Sequence, residues 1–291
     1  MERSNRVAFY LAFVFLAGNK WLHVRVLLFI FLIAVIGGVV AAVLGPFVLP
    51  LFIFVVLVLY FSANYYYAQE VPHVTSYEQM REVARTTTFS ELLFVHLAEG
   101  FALSVAAVLF WLLNAVVLWG LLYSAFGAGP DALLLDPITS TYAAGAYWLL
   151  AVYFFVTSIF LYGAMGAYGS ALMAGGGFWP TFKGALRFLS PRFWRATFNI
   201  RYFKLVVGWE LVQLAIVVVG RTLKFALFVL LSAMVVPKGA QVGGDAAMVV
   251  SLTMAFAITE IIANIANILV SYLLSYYSSG VAVFAYELLE E

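Results

Sequence analysis

The chain has 291 residues, 65% of them hydrophobic and only 10% charged, and its mean hydropathy of +1.04 excludes an ordinary soluble globular domain. A net charge of +1 points to no acidic or basic partner, so the placement of the charges matters more than their sum. Cysteine is absent, which excludes disulfides, thiolate metal sites and a cysteine nucleophile.

The polar start, Met1 to Arg6, precedes an apolar run from Val7 to Ala17. At about 11 residues that run is too short for a hydrocarbon core that takes roughly 20. Gly18-Asn19-Lys20 follows without a small-x-small cleavage pattern, so the run reads as a helix at the membrane surface and not as a cleaved signal. Val24 to Leu44 is long enough to cross, Gly45-Pro46 reverses the chain, and Phe47 to Tyr67 returns. Pro72 to Arg85, with His73, Glu78, Arg81, Glu82 and Arg85, reads as a cytoplasmic amphipathic helix in which His73 is solvated.

Phe89 to Phe126 is apolar apart from Glu91, Glu99 and Asn114. As one helix it would extend about 57 Å against a core of about 30 Å, so its first turns belong outside the core or along the interface. Gly127 to Ser140 is a loop and Thr141 to Met173 crosses back. Gly163, Gly166 and Gly169 give that span a small-residue face suited to close helix packing, and no strand precedes them as a nucleotide loop would require. After Gly175-Gly176-Gly177 comes a surface stretch whose cations Lys183, Arg187, Arg192, Arg195, Arg201 and Lys204 alternate with aromatics. These six are expected to meet anionic lipid headgroups while Phe182, Phe188, Phe193 and Trp194 enter the interface. Ser190-Pro191 suits a helix start.

The last hairpin runs from Phe203 through Val236, around Pro237 to Asp245, and back from Ala246 to Tyr277. Its first arm carries Glu210, Gln213, Arg221 and Lys224, and its second Glu260, Asn264 and Asn267, at helical steps of three and four that predict a polar seam facing the bundle interior. Counted from Gln241, Arg221 lies 20 residues before (241−221) and Glu260 lies 19 after (260−241). Equal depth and opposite charge predict an Arg221–Glu260 salt bridge, since a lone charge in hydrocarbon costs on the order of 3 kcal/mol. Ser278 to Glu291 reads as a short tail.

The whole reads as an all-α, polytopic membrane bundle of six transmembrane helices in one integral domain. Its three related hairpin units cover about residues 1–70, 71–174 and 175–291, with interfacial amphipathic helices between them. Tyr66, Tyr168 and Tyr276 mark the repeat, at intervals of 102 (168−66) and 108 (276−168). Twelve of the 15 basic residues fall on the side of the termini, which predicts a plasma-membrane protein with both termini cytoplasmic.

No catalytic, cofactor or metal residue is assigned. Glu99, Glu210 and Glu260 are candidate proton carriers, but no Ser/His/Asp set, metal cluster, P-loop or HExxH spacing accompanies them. His23 and His96 stand at matching entries to two spans, and interfacial hydrogen bonding is the expected fate in place of haem ligation. The pattern Tyr168, Ala171, Gly184-Ala185-Leu186-Arg187 and Phe193-Trp194-Arg195 resembles archaeal and bacterial membrane domains of the glycerophosphodiester phosphodiesterase type and related archaeal multi-span families. The likeness covers about a third of the chain. It implies a six-helix membrane module and not hydrolysis, because the soluble phosphodiesterase domain has no counterpart here. The leading function is a transport, channel or scaffold module. A lipid-acting membrane enzyme is the second reading and a DNA translocation channel a minor third. Membrane lipids are the expected partners, with another membrane protein or a second copy of the chain as further candidates; nucleic acid is not expected.

Overall fold

A computed structural model describes residues 3–126, 142–235 and 246–291, and the loops expected at Gly127 to Ser140 and Pro237 to Asp245 lie outside it. Eleven helices follow in order among the described residues: α1 (Asn5–Gly18), α2 (Lys20–Leu44), α3 (Leu49–Glu70), α4 (Tyr77–Thr86), α5 (Phe89–Phe94), α6 (Leu97–Phe126), α7 (Tyr142–Leu172), α8 (Phe178–Ala185), α9 (Pro191–Thr197), α10 (Ile200–Val235) and α11 (Ala246–Glu290). No strand occurs among them. Six are long and apolar enough to cross a membrane, and the fold is an all-α multi-pass membrane bundle. Three times, one or two short helices lead into a pair of long ones: α2 with α3, α6 with α7, and α10 with α11.

Local chemistry sets the breaks. Ser4, Asn19 and Ser76 each accept a backbone N–H three residues on, at 3.4, 3.2 and 3.3 Å, and so start α1, α2 and α4. Gly45 closes α2 at φ +99°, a left-handed geometry that suits glycine. The apolar stretch from Phe89 does not run on as one rod; it breaks at Val95–His96 into α5 and α6, so part of the excess over a membrane thickness is taken up by a separate short helix. Ser190 sits at the N-cap of α9 with proline behind it, yet its hydroxyl makes no capping bond.

The segment from Val7 to Ala17 is a helix too short to cross, and one face of it is packed: Ala8, Leu11, Ala12 and Phe15 are all buried at 1% exposure or less, between α4 and α11, while Tyr10 and Phe13 are exposed. One expectation needs correction. The stretch after Tyr277 is not a tail. α11 continues to Glu290, and Val281, Ala282, Val283 and Ala285 are fully buried against α1 and α7. Ser278-Ser279-Gly280 is a weak helical sequence, and burial of its neighbours overrides that local preference.

The core lies at the end of the bundle where the two termini meet. It is built from the first turns of α2, α6 and α10, the last turns of α3, α7 and α11, and α1, α4 and α5. α3 packs along α6, and α7 along α11. Gly163 and Gly166 face Trp194 and Tyr202, and Gly169 lets α7 approach the backbone of α11 at Ala282. Beyond this base the long helices are bare. Leu28, Phe31, Val43, Trp111, Val116, Phe155, Leu223, Phe225, Val249 and Ile261 are each at least 60% exposed, as side chains covered by acyl chains would be.

Candidate functional site

The apolar arms of the last hairpin, α10 and α11, pack against each other as an antiparallel pair, and one ion pair joins them far from the base. Lys224 Nζ lies 2.6 Å from Glu260 Oε1. The partner of Glu260 is therefore Lys224, one helical turn from the expected Arg221. Their midpoint is residue 242, from (224 + 260)/2, against 240.5, from (221 + 260)/2, for the expected pair. A shift of one and a half residues at the turn moves the contact by three residues on one arm, and three residues bring the next side chain to the same face. Arg221 is exposed and has no ion pair among the described residues.

The rest of the expected seam divides in two. Near the base, Gln213 Nε2 donates to Ser278 Oγ at 3.2 Å and Trp209 Nε1 donates to the same oxygen at 2.9 Å. Glu210 beside them is half-buried. Farther out, Asn264, Asn267 and Ser271 are exposed, on a stretch of α11 that is bare from residue 264 to residue 271. The seam expected to face the interior thus lies partly on the outside. The reason is the length of α11: its portion from Tyr272 onward is largely buried, whereas residues 264–271 are exposed and α10 meets the helix on both sides of them, at Glu260 and at Ser278.

The four-residue row Asn267, Ser271, Ser275, Ser279 starts on that outer wall and ends in the core, where Ser275 is 6% and Ser279 0% exposed. There the structure assembles a polar cluster that helical periodicity did not single out. Ser279 Oγ lies 3.0 Å from Asn64 Oδ1, from the Ser275 carbonyl and from Tyr168 Oη. Asn64 in turn donates to the Tyr60 carbonyl at 2.7 Å. His23 Nδ1 is 3.0 Å from Tyr272 Oη, which is 3.0 Å from Tyr276 Oη, and the Tyr276 ring packs edge-on to Tyr67. The Tyr67 hydroxyl is fully buried without a hydrogen-bond partner among the described residues. α2, α3, α7 and α11 thus each give a residue. The recurring tyrosines Tyr168 and Tyr276 were the legible signal; Asn64, inside an apolar run, and Ser279, in a stretch that reads as a tail, were not.

The histidines belong to separate clusters. His23 packs on Phe15, Tyr272 and Tyr276, whereas His96 packs on Tyr65 and Tyr66 and lies 3.8 Å from Glu99. Glu99 is buried and accepts the Gly177 N–H at 2.6 Å, pinning the triple-glycine turn. Of the six cations of the surface stretch, Arg187 is held by Glu290 at 2.9 Å and Arg201 by Glu291 at 3.7 Å; Lys183, Arg192, Arg195 and Lys204 are exposed. Arg3 is tied to Glu287 at 2.7 Å and also to Glu291. Among the described residues no three metal-ligating side chains converge.

A separate local feature starts α5. Glu91 accepts from the Thr88 N–H at 2.7 Å and from its hydroxyl at 2.8 Å, while Thr88 caps the Glu91 N–H at 3.3 Å. These bonds favour the carboxylate and hold the Glu91 carboxyl below its ordinary range. A lowered folded-state value means that the cap contributes stability above the unfolded value of 4.5 and loses it as pH falls through the folded one. Amide exchange at Leu92 in detergent is therefore expected to quicken on acidification relative to Glu91→Gln. Equal pH dependence in the two proteins would contradict it.

No family model matches this chain, and neither a curated protein nor a solved structure is similar to it.

Proposed function

We propose that this chain is a non-enzymatic scaffold of the plasma membrane, with both termini cytoplasmic, that holds three membrane hairpins on one rigid base and offers the side of the last to other membrane helices. One contrast carries the reading. At the junction of the hairpins His23, Asn64, Tyr272, Tyr276 and Ser279 are at most 7% exposed and hydrogen-bonded in two sets, His23 with Tyr272 and Tyr276, and Asn64 with Ser279, whereas Arg221, Asn264 and Asn267 stand exposed on an apolar hairpin. A carrier built from repeats puts its site in a cavity between them. Here that junction is filled by its own side chains, with only the Tyr67 hydroxyl and His23 Nε2 of the cluster left without a partner among the described residues, whereas the amides of Asn264 and Asn267 stand exposed on an apolar helix, where another membrane helix would satisfy them. The gathering of Arg3, Arg6, Lys20, Arg81, Arg85, Lys183 and Arg192 on the elements around the base supports the cytoplasmic placement. The exposed members of the surface stretch suit anionic headgroups there. The resemblance to phosphodiesterase membrane domains is consistent with the same six-helix plan.

Absence of native cysteine makes the test direct. In proteoliposomes, Ser279→Cys and Ser275→Cys are expected to resist a membrane-impermeant maleimide over the time in which Gln79→Cys on exposed α4 reacts fully. Labelling of either junction cysteine in a protein with an unchanged melting temperature would mean a water-accessible path and would replace the scaffold with a carrier or channel.

A further inference from the structure

We propose that the partner on this wall is a second copy of the chain, packed in parallel so that Asn264, Asn267 and Ser271 of one α11 meet the same residues of the other. The inference rests on the scaffold reading and names its partner.

Asn264, Asn267 and Ser271 are exposed within the apolar run of α11, among Ile261, Ile265 and Ile268 at 61, 57 and 54% exposure. No other described side chain or carbonyl of the chain hydrogen-bonds the two amides. In hydrocarbon each amide therefore leaves two donors and an acceptor unmet, an arrangement that lipid cannot relieve. Three features select a second copy. A carboxamide is both donor and acceptor, so it is complementary to itself. Two copies inserted with the same topology bring residue 264 to the depth of residue 264 with no further adjustment, whereas a different partner would have to carry matching groups at matching depths. The spacing is that of a parallel helix seam: steps of three (267−264) and four (271−267) fall on one stripe. Beside it Ala263 and Ala266 are small enough to let two backbones approach. Glu260, next on the stripe, is already neutralised by Lys224, so the seam brings no bare charges together. A symmetric contact of this kind closes after two chains, because the same surface is used by both.

The reporter is Ser271→Cys, which leaves both amides in place and is the sole thiol of the chain. In dilute proteoliposomes a short bis-maleimide is expected to join it into a covalent dimer of twice 32.1 kDa, while Leu223→Cys, exposed on α10, is expected to stay monomeric. Adding Asn264→Leu and Asn267→Leu to the reporter should lower the dimer yield about ten-fold or more, the effect of losing two interhelical amide contacts. Both amides are exposed, so this variant keeps its fold, which its melting temperature at high detergent dilution verifies. Absence of crosslinking at residue 271, equal crosslinking at residue 223, or a yield indifferent to the two leucines would each overturn the second-copy pairing. Those outcomes leave the protection of Ser279→Cys untouched, and labelling at Ser279 leaves the dimer untouched, so the two readings fail separately.

Discussion

Gly169→Ala is expected to destabilise the protein by about 3 kcal/mol, the upper range for forcing one methyl group into a packed core. A Cβ at this position would overlap the main-chain carbonyl of Ala282 and come within 3.0 Å of Tyr286 Cβ. A carbonyl cannot rotate aside as a side chain can, so α7 and α11 must separate. On either side of the contact lie Tyr276, Val281, Val283 and Ala285, all fully buried, whose packing would be lost with it. Gly38→Ala supplies the comparison, because nothing lies within 4 Å of a Cβ there. In the exposed interior of α2 the same methyl should stabilise by up to about 1 kcal/mol through helix propensity alone. Thermal unfolding in one detergent should therefore move in opposite directions for the two variants. A midpoint unchanged by Gly169→Ala would falsify the close approach of α7 to α11.

The second large effect concerns charge in lipid. Glu260→Leu leaves the Lys224 ammonium alone in an apolar run, and Lys224→Leu does the same to the carboxylate; each is expected to cost on the order of 2–3 kcal/mol. Both side chains are partly exposed, at 39 and 30%, so reorientation of the long lysine stem toward the headgroups recovers part of that cost. The double variant carrying both leucines should be near wild type or more stable, since replacing an ion pair by packed apolar groups removes its desolvation cost. A coupling energy above about 1 kcal/mol in this cycle is the expected signature. Arg221→Leu, which removes no ion pair or hydrogen bond among the described residues, should lose nothing, and the pair Arg221 with Glu260 should show no coupling. Coupling of Glu260 to Arg221 and not to Lys224 would restore the alternative register.

These two expectations sit on opposite sides of what could be read without coordinates. The small-residue face of Gly163, Gly166 and Gly169 was legible because steps of three put all three glycines on one side of a helix, and close packing is what such a face permits. Which helix fills it was not, because the partner Ala282 lies in a segment whose serines and glycine read as a tail. The ion pair was legible in kind, since two opposite charges in apolar arms have few other fates, but its register hung on a turn whose geometry no periodicity reports.

What the amino-acid order determined by itself is the solvent and the scale: runs of apolar residues matched to a bilayer, the reversal at Gly45-Pro46, and the small-residue face of Gly163, Gly166 and Gly169. Each is a property of adjacent residues or of one helix face. What only the tertiary arrangement decided is which end of the rods holds the core, that Tyr272 to Leu288 lies at its centre, and that Asn264 and Asn267 look outward. Those depend on how far helices of unequal length overlap, and overlap is set by the summed packing of residues more than two hundred positions apart, as when Ser279 meets Asn64 across a sequence separation of 215.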